Sequence, residues 1–463
     1  MEIPIVTIDF KAYTLGESKS NRIADRGFSP DSYGLNMLYE EGTLYFAGGT
    51  TDLSTNLEGD VVCITNDPDY LGQDAYILDD EGKFYTLSGT TLTKRQTDAV
   101  KTYQVGTSDM VRFMGSLFAT SQTDIAKVEG GNLSTSIDND WWTTTRAHSA
   151  LQTSYRHPLE VVEDTLYIGD KNYIHTWDGT TSVVQAMTLP YYINIVNLRK
   201  HPDGRHLIAF CGVTANYSHL RNGGGKIYII DTLNLEFVRE IDTEAQVEGS
   251  RNVGGIIYTT FGDKLGYFNG DDIEWLRNLT NGSTTYSHQM SNAENILLVR
   301  DGKDVLAYGD LGQGKTFWRP YRTEAGSYAT FTAIGYKGGD TILVGYTDAG
   351  SGIEKLYQVD LNTAGLGGIF KSNHYLLNGH VAIRRIEVDH TQTPASGTNG
   401  FYLTLIDGSG NILHTQSTSY TDNQQQHTRI DLDAFARDVQ VQFYPTNGAM
   451  GFRQIRLYGE SIE

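Results

Sequence analysis

Residues 166–185, LYIGDKNYIHTWDGTTSVVQ, decide how the rest of the chain is read. Three short runs, 166–168, 173–177 and 182–184, are separated by polar turn residues. Asp178-Gly179 is the kind of pair a tight hairpin uses where the backbone takes positive φ. The phrase returns at residues 117–136 (LFATSQTDIAKVEGGNLSTS), with Glu129-Gly130 in that place, and at 257–276 (IYTTFGDKLGYFNGDDIEWL), with Asn269-Gly270. Copies that align without a gap mark a repeat of strands and hairpins. At the Trp177 position the other copies carry Val128 and Phe268, so an apolar group is required there. His175 is matched by Ala126 and Gly266, so no imidazole is required. Tyr167, His175, Trp177 and Asp178 therefore read as scaffold.

Working outward, similar openings fall near Tyr76, Val111, Val161, Val196, Val253, Leu297 and Thr332. Their spacings run from roughly 35 to roughly 57 residues, with a mean of about 43, the period of propeller blades. The segments alternate at period 2 and break at Gly, Asn or Asp, without the periodicity of helical solenoids. A single blade leaves both sheet faces bare, and radial stacking covers them, so the repeat should close on itself. The expected fold is all-β: a β-propeller of seven blades, with six or eight left open, followed by a small antiparallel β-sandwich.

The expected division is an N-terminal arm and first strands (1–65), the propeller (66–369) and the sandwich (370–463). The strand at residues 3–8 starts with Pro4 near its head, which suits an edge, and is a candidate to pair with the sandwich. Residues 16–32, GESKSNRIADRGFSPDS, read as a polar loop or arm. Beyond residue 370 the alternation sharpens: Phe401, Leu403 and Leu405 mark one face, as do Val439, Val441 and Phe443, and Ile455 with Leu457.

The 463 residues carry a formal net charge of −20. So acidic a chain is unsuited to gripping a nucleic-acid backbone, which takes Lys and Arg to displace counterions. It leaves open a wall that repels DNA sliding past. Cys63 and Cys211 make no CxxC and read as buried free thiols. No apolar run approaches a transmembrane helix. The N-terminus lacks the basic and apolar regions of a signal peptide, so synthesis in a cytoplasm is expected.

Candidate chemistry is thin. Residues 309–316, GDLGQGKT, match a P-loop pattern, but Pro320 follows where a helix would be needed, so a Gly-rich hairpin loop is expected. Arg319, Arg322, Arg384 and Arg385 could supply a sialidase-like triad only if the fold collects them. Asp67–Gly72 starts like a calcium loop but has Leu71 at a ligand position. Asp79-Asp80-Glu81 and Asp271-Asp272 read as solvated hairpin tips. Twelve histidines make no H-x-x-x-H; the closest pairs are His201 with His206 and His374 with His380. Asn222-Gly223-Gly224-Gly225 precedes no helix to receive a phosphate. Trp141-Trp142 and Tyr191-Tyr192 either stack on sugars or wedge between blades, with packing preferred. No catalytic residue, cofactor site or metal site is assigned, and enzyme activity is not expected.

The polar arm leading into Gly34-Leu35-Asn36-Met37-Leu38, the propeller, and a sandwich ending Arg456-Leu457-Tyr458-Gly459-Glu460 resemble the tail-nozzle (DNA-stabilisation or hub) proteins of short-tailed bacteriophages. The resemblance covers most of the chain as architecture. It implies a structural virion protein made in the host cytoplasm, a ring, usually hexameric, below the portal and adaptor. Such a ring continues the DNA channel, retains packaged DNA without reading its sequence, and anchors fibres or spikes. An alternative is a carbohydrate- or surface-binding propeller, since Gln454-Ile455-Arg456-Leu457-Tyr458-Gly459 is similar to the last strand of galactose-binding-like sandwiches. A propeller glycosidase or lyase is the third class.

Overall fold

The computed structural model describes residues 3–10, 32, 35–36, 44–46, 50–65, 74–95, 103–104, 106, 108–128, 137–213, 224–279, 285–310, 315–322, 330–338, 341–348, 352–360, 368–391, 400–419, 426–447 and 451–462. Outside them lie nearly all of the polar arm, the Asp67–Gly72 loop, Gly130, the Gly34 and Met37-Leu38 part of the entry to the propeller, and Asn222-Gly223. By density of contact the chain forms two compact units, one of Met1–Thr50, Asp304–Glu324 and Val359–Glu463, the other of Thr51–Lys303 and Ala325–Gln358.

Seven four-stranded antiparallel sheets form the blades of a propeller. Their innermost strands are Val61–Thr65, Met110–Phe113, Leu159–Val162, Ile193–Lys200, Gly249–Val253, Met290–Ala293 and Thr330–Gly338. Each packs beside the next, and the seventh packs beside the first, so the ring is closed. The openings read from the sequence fall one to a blade. Two strands ahead of residue 66 join the blades: Val61–Thr65 opens the first, and Thr50–Asp52 is the outermost strand of the seventh. The seventh blade is thus completed from the other end of the chain. The Leu53 amide donates to the Leu356 carbonyl at 2.9 Å beside this junction.

The repeated phrase keeps one register. Leu166 faces Trp177, Leu117 faces Val128 and Ile257 faces Phe268 across the second and third strands of blades three, two and five. Gly179 and Gly270 close their turns at φ +94° and +100°, which side-chain-bearing residues avoid. Middle strands such as Ala75–Asp79 and Ser116–Thr120 are buried at every residue, because both faces meet a neighbouring blade. One core joins Phe113, Phe118 and Ile125 of blade two to Leu159, Leu166, Ile168 and Trp177 of blade three. Trp177 is its hub, with ring centroids 5.1 Å from Phe118, 5.3 Å from Phe113 and 4.8 Å from Trp141.

The other unit carries a seven-stranded sheet ordered Val6–Asp9, Phe452–Ile462, Tyr375–His390, His427–Asn447, Gly400–Ile406, Ile412–Ser417, with Phe370–Lys371 beside His427–Asn447. The N-terminal strand is an edge, pairing Val6 with Leu457 and Ile8 with Ile455. The 21-residue strand His427–Asn447 pairs with Tyr375–His390 mainly along its first half and with Gly400–Ile406 along its second. Phe401 and Phe452 lie three strands apart in this order, roughly 14 Å in a flat sheet at about 4.8 Å per strand. Their ring centroids are 5.5 Å apart, so the sheet folds over into two layers around an apolar middle. Phe443, 4.6 Å from Phe452, fills the same interior.

Candidate functional site

Four consecutive blades bring a charged residue to the inner wall of the ring. Asp109 precedes the opening strand of blade two, and Glu160, Arg199 and Arg251 sit on the opening strands of blades three, four and five. Asp109 is held by the amides of Met110 at 2.9 Å (Oδ1) and Leu159 at 3.1 Å (Oδ2). Arg199 donates to the Ser250 carbonyl through Nε at 3.0 Å and Nη2 at 2.7 Å, and to the Leu198 carbonyl through Nη1 at 2.6 Å. Its Nη1 lies 3.6 Å from Glu160 Oε2. Arg251 Nε donates to Asn292 Oδ1 of blade six at 3.2 Å.

Burial pushes the Asp109 and Glu160 carboxyls up, and in both Arg199 is the largest opposing influence. Burial draws the Arg251 guanidinium down, Arg199 adds to this, and Asp109 and Glu160 oppose it. Two acids and two guanidiniums thus offset one another where either charge alone would be costly.

Beside this quartet, Arg156 pairs with Glu248 and stacks 4.8 Å from the Tyr286 ring centroid. Burial, with Arg156 adding, takes His288 down to about 3, so it is neutral and accepts from the Gly106 amide at 3.0 Å. Asn197 Nδ2 donates to the Val247 carbonyl at 3.3 Å, and Ser287 donates to its Oδ1. The space that Asp109, Arg156, Glu248 and His288 enclose together is about 20 Å³ for water centres, room for a single water or two. It cannot take a sugar or a nucleotide. These groups hydrogen-bond backbone of the neighbouring blade, and what they do chemically is fix blades to one another.

The candidates read from the sequence are mostly dispersed. Asp304–Asp310 and Lys315–Arg322 form an antiparallel hairpin with Gly309 opposite Thr316, and residues 311–314 lie outside the described residues. A second strand thus stands where a phosphate-binding helix would begin. Arg319 and Arg322 share Asp304, with Nε–Oδ distances of 2.9 and 2.5 Å. Arg384 pairs with Asp433 and Glu460, and Arg385 stacks 4.2 Å from the Tyr458 ring centroid. Arg319 and Arg322 thus converge on one carboxylate, while Arg384 and Arg385 are engaged by other partners, so the four do not form a triad around an open point. Trp141 and Trp142 are buried in the core between blades two and three, while Tyr191 is exposed. Cys63 and Cys211 are free, buried thiols, and burial pushes both up.

One expectation is corrected. Asp79 is not a solvated tip but fully buried, because its carboxylate turns inward to accept from the Lys83 amide at 2.6 Å and the Tyr85 hydroxyl at 2.8 Å. Burial pushes it up to about 6. Of the histidine pairs, His374 faces Asp438 while His380 accepts from Arg437, so they have different partners. His201 and His206 do converge, on Asp203.

Sequence reasoning missed the inner quartet and the outer edge. The outermost strands of blades three, four and five, Ser182–Thr188, Glu236–Thr243 and Ile273–Asn278, end their sheets and expose large apolar side chains. Val183, Val184, Phe237, Val238 and Trp275 are the residues concerned, with Phe237 49%, Val238 55% and Trp275 54% exposed. The folded sheet of the other unit has its own group: Leu376, Phe435 and Ile462. Exposed large apolar residues, on the edge strands of the blades and on the face of the other sheet, are the kind of surface that interaction sites use.

No protein-family model and no curated protein sequence matches the chain. Among solved structures it is similar to Raptor of Chaetomium thermophilum, at 12% identity and TM-score 0.45, over 70% of this chain and 29% of that one. It is also similar to the Cps50 (Swd1) β-propeller domain of Myceliophteria thermophila, at 10% identity and TM-score 0.45, over 67% and 98%. A third is BBS1N, solved in complex with ARL6DN, at 14% identity and TM-score 0.43, over 70% and 98%.

Proposed function

We propose that this chain is a non-catalytic structural protein of a short-tailed phage virion, forming a nozzle or hub ring in the tail. The observation that carries the assembly part of this reading is the exposed apolar edge on three consecutive blades. Val183, Val184, Phe237, Val238 and Trp275 stand on strands that end their sheets. A ring needs a heterologous interface, in which two different patches of one chain meet on neighbouring copies. The blade edges supply one patch, and Leu376, Phe435 and Ile462 supply the other. In this reading the charge of −20 keeps the ring from adhering to the DNA that slides through its lumen. The lumen lies between subunits. The inner wall of one propeller, where Arg199 offsets the buried Asp109 and Glu160, is in this reading a part of the scaffold and not the channel. The phage assignment itself rests on the resemblance in architecture.

Negative-stain images of the purified full chain, alone and mixed with a cognate portal and adaptor, test this reading. Closed rings that dock on the portal are expected. A persistent monomer that ignores the portal and binds a glycan array would overturn it in favour of a carbohydrate-binding propeller.

A further inference from the structure

The hairpin that joins the first two strands of blade four reads His201-Pro202-Asp203-Gly204-Arg205-His206. Its geometry follows from these residues. Pro202 presets the turn, and Gly204 takes φ +77° while its amide donates to the His201 carbonyl at 2.8 Å. The His201 amide donates to the His206 carbonyl at 2.9 Å, which places the two imidazoles opposite each other at the hairpin mouth. Asp203 then folds back between them. Its Oδ1 accepts from the amides of Arg205 at 2.9 Å and His206 at 3.1 Å, which holds the carboxylate in place. Its Oδ2 is left facing His201 Nδ1 at 3.0 Å and His206 Nδ1 at 2.5 Å.

The geometry points to a binding site for one divalent transition-metal ion, held by His201 Nδ1, His206 Nδ1 and Asp203 Oδ2. All three atoms lie within 4.8 Å of one another. Around a tetrahedral zinc ion with ligand bonds of about 2.0 Å, ligand atoms stand about 3.3 Å apart, so a small opening of the hairpin mouth admits the ion. His201 Nδ1 lies 3.3 Å from the Asp203 amide and 3.0 Å from Asp203 Oδ2, and it binds the ion as the Nε2–H tautomer, with its lone pair on Nδ1. His206 likewise binds as the Nε2–H tautomer: the proton on Nδ1 leaves to water and water supplies one to Nε2, with no net change on the neutral ring. The amide bonds to Oδ1 are the outer contacts that orient a ligating carboxylate.

Charge does not draw the ion in. Lys200 and Arg205 flank the turn, and Asp203 and Asp231, which faces His206 from the third strand, only balance them. Affinity must come from the nitrogen donors. The site therefore selects Zn²⁺ and its neighbours over Mg²⁺ and Ca²⁺, which ask for oxygen ligands. This proposal stands independently of the phage reading.

The test is titration of the chelator-stripped full chain with Zn²⁺ against a chromophoric competitor, with melting followed in parallel. One equivalent is expected that Mg²⁺ and Ca²⁺ do not displace, with a saturable rise in Tm. Asp203→Asn should weaken it at least about tenfold, since loss of even an orienting partner costs about 10–100-fold. His201→Ala/His206→Ala should abolish it. His206→Gln, which preserves size and hydrogen bonding, serves if the double variant misfolds. Zn²⁺ stoichiometry and affinity unchanged in His206→Gln, or displacement of Zn²⁺ by Ca²⁺, overturns the assignment.

Discussion

Two strands of blade four have the same length and opposite character. Ile193–Lys200, on the inner wall, buries every residue from Ile195 to Arg199. Glu236–Thr243, on the outer edge, exposes its first five residues, Phe237 and Val238 among them. Each breaks the usual rule of polar outside and apolar inside. The inner strand buries a guanidinium and the outer one leaves an aromatic ring in water. The buried charge is answered within the chain by Glu160 and the Ser250 carbonyl. The exposed rings are only partly answered within it: Phe237 keeps a contact with Tyr228 at 5.2 Å, yet half its surface stays open. The inner wall therefore serves the fold, and the outer edge is the surface proposed above for docking a second molecule.

The largest effect should come from the inner wall. Arg199→Met leaves Glu160 and Asp109 with less compensation and should cost about 3–5 kcal/mol in chemical denaturation, as breaking a buried pair does. The same change at Arg239 on the outer strand, whose partner Asp271 is exposed, should cost less than about 1 kcal/mol. Equal losses at the two positions would erase the distinction between the walls.

Asp79 gives a pH signature of burial. Its folded carboxyl sits at about 6 against 3.8 for an ordinary aspartate, so the folded state holds the proton more tightly than the unfolded chain. Stability from this group is therefore greatest below about pH 4, falls as pH rises, and reaches its full deficit above about pH 6. The deficit is on the order of 2–3 kcal/mol. Asp79→Asn should flatten that part of the profile in urea melts between about pH 4 and pH 7, and an unaltered slope in the variant would contradict the burial of this carboxyl.

Gly335 probes the closure of the ring. A Cβ there would lie 2.2 Å from Ile64 Cγ2, where the inner strand of blade seven meets that of blade one. Gly335→Ala should cost about 1–3 kcal/mol, the usual penalty of overpacking, and Ile64→Ala in the same chain should recover part of it. The smallest effect on folding belongs to the outer edge. Phe237→Ser with Val238→Ser should shift the denaturation midpoint by no more than about 0.5 kcal/mol per site, as surface changes do.

The blades were legible because their signal is local. Trp177, Val128 and Phe268 recur at one place in a short phrase, and Asp178-Gly179 and Asn269-Gly270 announce the turns. Closure was less legible, because the strand that completes blade seven, Thr50–Asp52, lies some three hundred positions away in sequence. The inner quartet was illegible for the same reason: Asp109, Glu160, Arg199 and Arg251 share no local motif, and only the ring makes them neighbours. A charged residue set in the opening strands of blades three and four, as in Leu159-Glu160-Val161 and Asn197-Leu198-Arg199, was the available sign. Asp79 was misjudged because a carboxylate in an Asp-Asp-Glu-Gly turn looks solvated until Tyr85 is placed beside it.

The most direct test of the outer edge as an assembly surface is sedimentation velocity of the full chain across a range of concentrations. The wild type should sediment as one closed oligomer of fixed mass, and Phe237→Asp with Trp275→Asp should sediment as a folded monomer. A wild type that stays monomeric throughout, or an oligomer that the double variant leaves intact, would contradict the account.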